Sequence, residues 1–134
     1  AKKAMKLYRA LNKAIQAGLV ASCHDCSDGG LAVALAETAF AGGFGLNVDL
    51  KDVPYRGKKR DDYVLFSESA SRFVVTIAPE NQAKFEKIMK DNVVREIGFV
   101  SNDGLLQVSG LSGRPVIKEK ISKLKDAWQK PLNF

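Results

Sequence analysis

The densest group of chemically capable side chains in the sequence is His24-Asp25-Cys26-Ser27-Asp28-Gly29-Gly30. Two carboxylates at this spacing could hold a hydrated Mg²⁺ that bridges to phosphate. The glycines let a backbone come close to a ligand. A helix starting there would add unpaired N–H groups and a positive partial charge. The same residues have a purely structural reading, in which Ser27 or Asp28 caps the helix and the glycines make the turn. A second group, Phe66-Ser67-Glu68-Ser69-Ala70-Ser71-Arg72, carries three hydroxyls, a carboxylate and a guanidinium within seven residues. It could bind an anionic ligand. It could equally satisfy the backbone of its own turn, with Glu68 paired to Arg72.

Other chemistries are excluded by scarcity. The chain holds one His and two Cys among 134 residues, too few for a four-ligand zinc site without a carboxylate. Cys23 and Cys26 spell C-x-x-C, but His24 lies between them and no thioredoxin-like order of elements surrounds them, so they read as structural thiols. The one His sits beside both candidate partners in sequence, which leaves no credible Ser-His-Asp or Cys-His system. No P-loop or GxGxxG occurs. The 21 Lys+Arg exceed the 15 Asp+Glu by six, giving +6. The densest basic run, Lys58-Lys59-Arg60, is followed at once by Asp61-Asp62, and the other lysines are interspersed with acids. That is the pattern of a solvated face, without the aromatic interleaving that stacks on bases, so nucleic acid is not an expected partner. No run of about 18 apolar residues occurs, which argues against a membrane span. The opening AKKAMKLYRALNKA has no signal-peptide pattern, so a cytoplasmic setting is expected.

The elements that must position the two groups can be read from periodicity. Leu7, Leu11, Ile15 and Leu19 recur at helical spacing and predict a helix over 3–17. A buried strand is expected from 19 to 25. An Ala/Leu-rich helix over 31–41 follows, closed by Gly42-Gly43. A strand over 45–50 leads to an exposed loop over 51–62. An optional strand within 63–69 precedes the second turn, and a strand over 72–78 presents Phe73, Val75 and Ile77 on one face. Pro79 at the first helical position opens a helix to residue 90, with Phe85, Ile88 and Met89 inward. Strands over 93–100 and 105–108 flank Asn102-Asp103-Gly104, a hairpin signal. A last helix from near Ser122 presents Leu124 and Trp128. The sum is one α+β domain over 1–134, with helices packed on a mixed, largely antiparallel sheet. A doubly wound nucleotide fold is disfavoured because βαβ alternation stops after Leu50.

Residues 24–50, HDCSDGGLAVALAETAFAGGFGLNVDL, resemble the phosphoribosylformylglycinamidine synthase family. So do LFSESASRFVVTI at 65–77, Pro79-Glu80-Asn81, Ile97-Gly98-Phe99-Val100 and Ala127-Trp128. The match is to the C-terminal domain of the synthetase component, within the aminoimidazole ribonucleotide synthetase-like superfamily, and covers nearly the whole chain. The resemblance implies that superfamily's α+β C-terminal-domain fold. It implies part of an ATP-dependent carbon–nitrogen ligase converting formylglycinamide ribonucleotide to formylglycinamidine ribonucleotide in de novo purine biosynthesis. ATP and Mg²⁺ are the implied cofactors of the full enzyme, with none expected on this chain alone. The implied partners are the remaining synthetase domains, a glutaminase and small accessory subunits. Neither nucleic acid nor membrane is implied, and a homodimer is left open. The family's two turns map onto Asp25, Ser27, Asp28, Gly29 and Gly30, and onto Ser67, Glu68, Ser69 and Arg72, as ligand-proximal positions of a nucleotide or phosphate cleft. No catalytic or metal-ligating residue is expected. Ser67 departs from the family's common Gly, and Cys26 fills a variable position. Without an ATP-binding glycine loop or a complete acid–base set, the isolated chain is expected to be inert. The alternatives are another member of the superfamily, of selenophosphate synthetase or hydrogenase maturation type, or a purely structural interface domain.

Overall fold

The structure, a computed structural model, describes residues 2–132; Ala1, Asn133 and Phe134 of the expected 1–134 domain lie outside the described residues. In chain order the helices are α1 (Lys2–Gln16), α2 (Gly30–Gly42), α3 (Asp61–Phe66), α4 (Gln82–Met89) and α5 (Ile121–Gln129). The strands are β1 (Ser22–Asp25), β2 (Gly45–Asp49), β3 (Phe73–Thr76), β4 (Gly98–Ser101), β5 (Leu105–Ser109) and β6 (Pro115–Lys120). No described helix is long and apolar enough to cross a membrane.

Helix α2 is the centre of the molecule. Its residues are apolar on nearly every face because most of its surface is covered: β1 and β3, β2 and β5, α3 and α5 all contact it, while Val33 and Glu37 border an open cleft. Leu31, Leu35, Leu46, Val64, Val74 and Leu106 belong to the core cluster built around it. A glycine ends the helix as expected, with Gly43 in the left-handed conformation and its N–H donating to the Ala39 carbonyl. A second cluster joins Ala14 of α1 to Phe85 and Met89 of α4, with Val75 and Ile77 packed against it. β3 is therefore covered on both sides, Val74 facing α2 and its neighbours facing α1 and α4. Tyr8 and Phe73 meet edge-to-face there, with ring centroids 5.9 Å apart.

The strands form two sheets, β1-β3 and β4-β2-β5-β6, and every pairing is antiparallel except β2 with β5. Helices packed on a mixed, largely antiparallel sheet system are the α+β class expected. Four local expectations are corrected. First, Asn102-Asp103-Gly104 does not make a hairpin, because β2 lies between β4 and β5. The turn is an arch over the start of β2. Asp103 ties it together by accepting from Ser101 Oγ at 2.7 Å and the Leu105 amide at 3.0 Å. Gly45 fits beneath because it has no Cβ, which would stand 2.7 Å from the Leu105 carbonyl oxygen. Second, the 93–100 strand starts only at Gly98; Val93 is 78% exposed and 93–97 carry no regular structure. Third, the optional strand within 63–69 is instead helix α3, with Asp61 and Asp62 in its first turn where the helix dipole favours them. Fourth, β6 was not expected. It is an edge strand that opens on Pro115 and carries Lys118 and Lys120, devices that blunt an edge against further pairing. In addition, Pro79 opens a 3-10 turn, Pro79–Asn81, with α4 beginning at Gln82.

Candidate functional site

The first turn leaves β1 at Asp25 and enters α2 at Gly30. Cys26 is buried between them, and its amide donates to the Arg72 carbonyl at 3.0 Å, which ties the turn to the end of the second one. The expected cap at Ser27 or Asp28 does not form. Gly29 occupies the N-cap position with φ 72°, and no side chain of its own turn bonds there. Ser27 instead donates to the Asp25 carboxylate. The α2 terminus is met from the second turn, where Glu68 Oε1 accepts from the Gly29 amide at 2.9 Å. An N–H left over by the helix thus finds a carboxylate that the sequence places 39 residues away. Gly30 completes the contact, since its backbone lies directly against the last residues of α3.

Of the nine expected residues, Asp25, Ser27, Asp28, Gly29, Gly30 and Glu68 are brought to one place. The Glu68–Arg72 pair considered from sequence is absent among the described residues. The Arg72 guanidinium donates to the Ser67 carbonyl at 3.2 Å and stacks 5.9 Å from the Tyr55 ring. Ser69 is exposed. The neighbouring Ser71 holds φ 65°, unusual for a side chain with a Cβ, and its hydroxyl lies 2.6 Å from that of Tyr8.

Two further residues belong to the site. Glu37, the only ionisable residue of α2, has Oε2 2.7 Å from His24 Nε2. His24 Nδ1 in turn lies 2.7 Å from the Asp25 carbonyl oxygen. Trp128 of α5 closes the far wall, leaning on Phe40 at 5.7 Å between ring centroids. A lone glutamate inside an otherwise apolar helix was the sequence signal for Glu37. Trp128 gave only a helical face.

Together His24, Asp25, Ser27, Asp28, Gly29, Glu37, Val33 and Trp128 line an open cleft of about 440 Å³. Its wall has three carboxylates and no lysine or arginine, so a bare phosphate finds no permanently charged cation here. Two of those carboxylates are already engaged, Asp25 by Ser27 and Glu37 by His24. Among the described residues no three His, Cys, Asp or Glu side chains are grouped to hold a metal ion. The donor set of this cleft therefore does not by itself fit ATP or Mg²⁺.

The Ser27 hydrogen bond holds the Asp25 carboxyl below the usual carboxylate range, and His24 adds a smaller pull. Because Asp25 titrates lower when folded than when unfolded, this contact contributes stability above the unfolded value and loses it as pH falls through the folded one. Ser27→Ala is expected to move the Asp25 midpoint up toward the ordinary value in a carbon-detected NMR titration; an unchanged midpoint would assign the shift elsewhere. Burial pushes the Cys23 and Cys26 thiols up, which disfavours the thiolate a redox dithiol needs.

The family model described as AIR synthase related protein, C-terminal domain, matches residues 1–110. The phosphoribosylformylglycinamidine synthase subunit PurL of Alkaliphilus metalliredigens (strain QYMF) is 40% identical over 127 residues, which are 92% of this chain and 16% of that protein. The chain thus spans about one sixth of the length of that relative. Thermotoga maritima PurL complexed with FGAR superposes with a TM-score of 0.80 at 23% identity, covering 90% of this chain and 20% of that one. The same protein has also been solved with ATP, and the PurLQS complex from that organism matches as well. The hydrogenase maturation protein HypE shares the fold at a TM-score of 0.71 and 18% identity, over 85% of this chain and 41% of that one. With the family model spanning most of the chain, the two-turn cleft is set in a recognised fold, and the chain belongs to the AIR synthase related protein, C-terminal domain, family.

Proposed function

We propose that this chain serves as the C-terminal domain of a phosphoribosylformylglycinamidine synthase, an ATP-dependent carbon–nitrogen ligase of purine biosynthesis acting in the cytoplasm. Its part is to supply one wall of a nucleotide or phosphate cleft that a companion domain completes. The observation that carries the reading is the Gly29 amide to Glu68 hydrogen bond, which joins the two motif turns at the mouth of one open cleft. Asp25, Ser27, Asp28, Gly29, Gly30 and Glu68 are the ligand-proximal residues, with Ser67, Ser69 and Arg72 shaping the second turn behind them. The companion domain brings the cations that the wall lacks, and with them ATP and Mg²⁺; a glutaminase brings ammonia. The relative's name and the FGAR and ATP complexes of the T. maritima protein support the substrate and cofactor assignment.

The 134-residue chain, mixed with formylglycinamide ribonucleotide, ATP, Mg²⁺ and ammonium, is expected to give no turnover. A longer enzyme carrying this sequence as its last domain is expected to turn over. Asp28→Ala in that enzyme is expected to lower kcat/KM by at least about tenfold, equivalent to about 1.4 kcal/mol of lost transition-state binding. Turnover by the short chain alone, or an Asp28→Ala enzyme indistinguishable from its parent, would overturn the proposal.

A further inference from the structure

The sequence contains two Asp-Gly steps, Asp28-Gly29 and Asp103-Gly104. Both sit in exposed turns, and both glycines adopt the same left-handed backbone, φ 72° at Gly29 and 67° at Gly104. A glycine after an aspartate leaves its amide nitrogen open to the preceding side chain, because no Cβ shields it. The Gly29 amide also donates to Glu68 Oε1 at 2.9 Å, so attack there requires that bond to open; what favours the Asp28 step is its unrestrained carboxylate. Asp103 is pinned by three donors: Ser101 Oγ at 2.7 Å, the Leu105 amide at 3.0 Å and Gln107 Nε2 at 2.9 Å. Asp28 lines the open cleft and makes no hydrogen bond among the described residues.

We propose that Asp28-Gly29 is a site of spontaneous isoaspartate formation, and that Asp103-Gly104 is protected from the same reaction by its hydrogen bonds. The Gly29 nitrogen attacks Cγ of the Asp28 carboxyl group in its acid form. A C–N bond forms, the Cγ–OH bond breaks, and the amide proton leaves with the hydroxyl as water. The succinimide then takes up one water and opens at either carbonyl, giving aspartate or isoaspartate. At Asp103 the donors oppose both requirements. They fix the carboxyl in one orientation, so that attack would have to break three hydrogen bonds, and they keep it ionised to lower pH, chiefly through Ser101. Isomerisation at Asp28 adds a methylene to the backbone just ahead of the Gly29 amide. That displaces the N–H from Glu68 and shifts the start of α2, so the cleft is where the domain ages.

The test is to age the chain at neutral pH and physiological temperature for several weeks, digest it, and quantify isoaspartate by mass spectrometry and methyltransferase labelling. The expected result is accumulation in the Asp28 peptide several-fold above the Asp103 peptide, abolished at the first site by Asp28→Glu. The Ser101→Ala, Gln107→Ala double variant is expected to raise Asp103 toward the Asp28 level. Should that variant fold poorly, ageing the native chain in urea serves the same end, since the two rates are then expected to converge. Equal accumulation at both sites in the folded chain, or none at Asp28, would overturn the proposal. Neither outcome depends on the enzymatic reading.

Discussion

Gly30→Ala is expected to be strongly destabilising, because backbone strain and a steric conflict coincide there. Gly30 holds φ 67°, a conformation that costs a residue with a Cβ about 1–2 kcal/mol. The added methyl would also stand 2.8 Å from the Leu65 carbonyl oxygen and the Phe66 carbonyl carbon, which are backbone atoms of α3 with no rotamer to give way. Overpacking of this kind adds about 1–3 kcal/mol, so a total of about 2–5 kcal/mol is expected. Small domains have only about 5–15 kcal/mol of stability in all. Thermal or urea denaturation should show a Tm drop on the order of 10 °C. Gly18→Ala is the control: its φ is also 67°, but no atom lies within 4 Å of a Cβ there. If both variants lose the same stability, the strained backbone explains everything and the α2–α3 contact nothing.

Leu35→Ala is the second large effect. Leu35 is 1% exposed on the central helix and belongs to the cluster shared by strands of both sheets. Removing its branched end leaves a cavity that a close-packed core cannot fill, at a cost of about 2–5 kcal/mol. Leu132→Ala, at a site 62% exposed, is expected to change stability by no more than about 0.5 kcal/mol. Chemical denaturation of the pair separates burial from side-chain identity. A Leu35→Ala protein as stable as its parent would mean that α2 is not the organising element.

Features coded over a few residues were legible in the sequence. Periodic leucines mark α1, continuous alanine and leucine mark α2 as a largely buried helix, and Gly43 marks its end. The two turns stand out in the sequence as candidates because chemically capable residues crowd there. Features decided by distant partners were not legible. Asn102-Asp103-Gly104 reads the same whether its flanking strands pair with each other or admit β2 between them. Tyr63-Val64-Leu65-Phe66 is too short a run for periodicity to separate helix from strand. The cap of α2 was sought among its immediate neighbours, Ser27 and Asp28, whereas the bond came from Glu68. Glu37 joined the site only because the helix places it beside His24.

Because β2 lies between β4 and β5, it is synthesised well before either neighbour and leaves the ribosome with both edges bare. Leu46 and Val48 alternate along it, so a nascent chain halted before Gly98 displays an unpaired apolar strand suited to joining copies of itself. The four-stranded sheet can be closed only when the arch through Asp103 has emerged and folded over it, more than fifty residues after β2 itself.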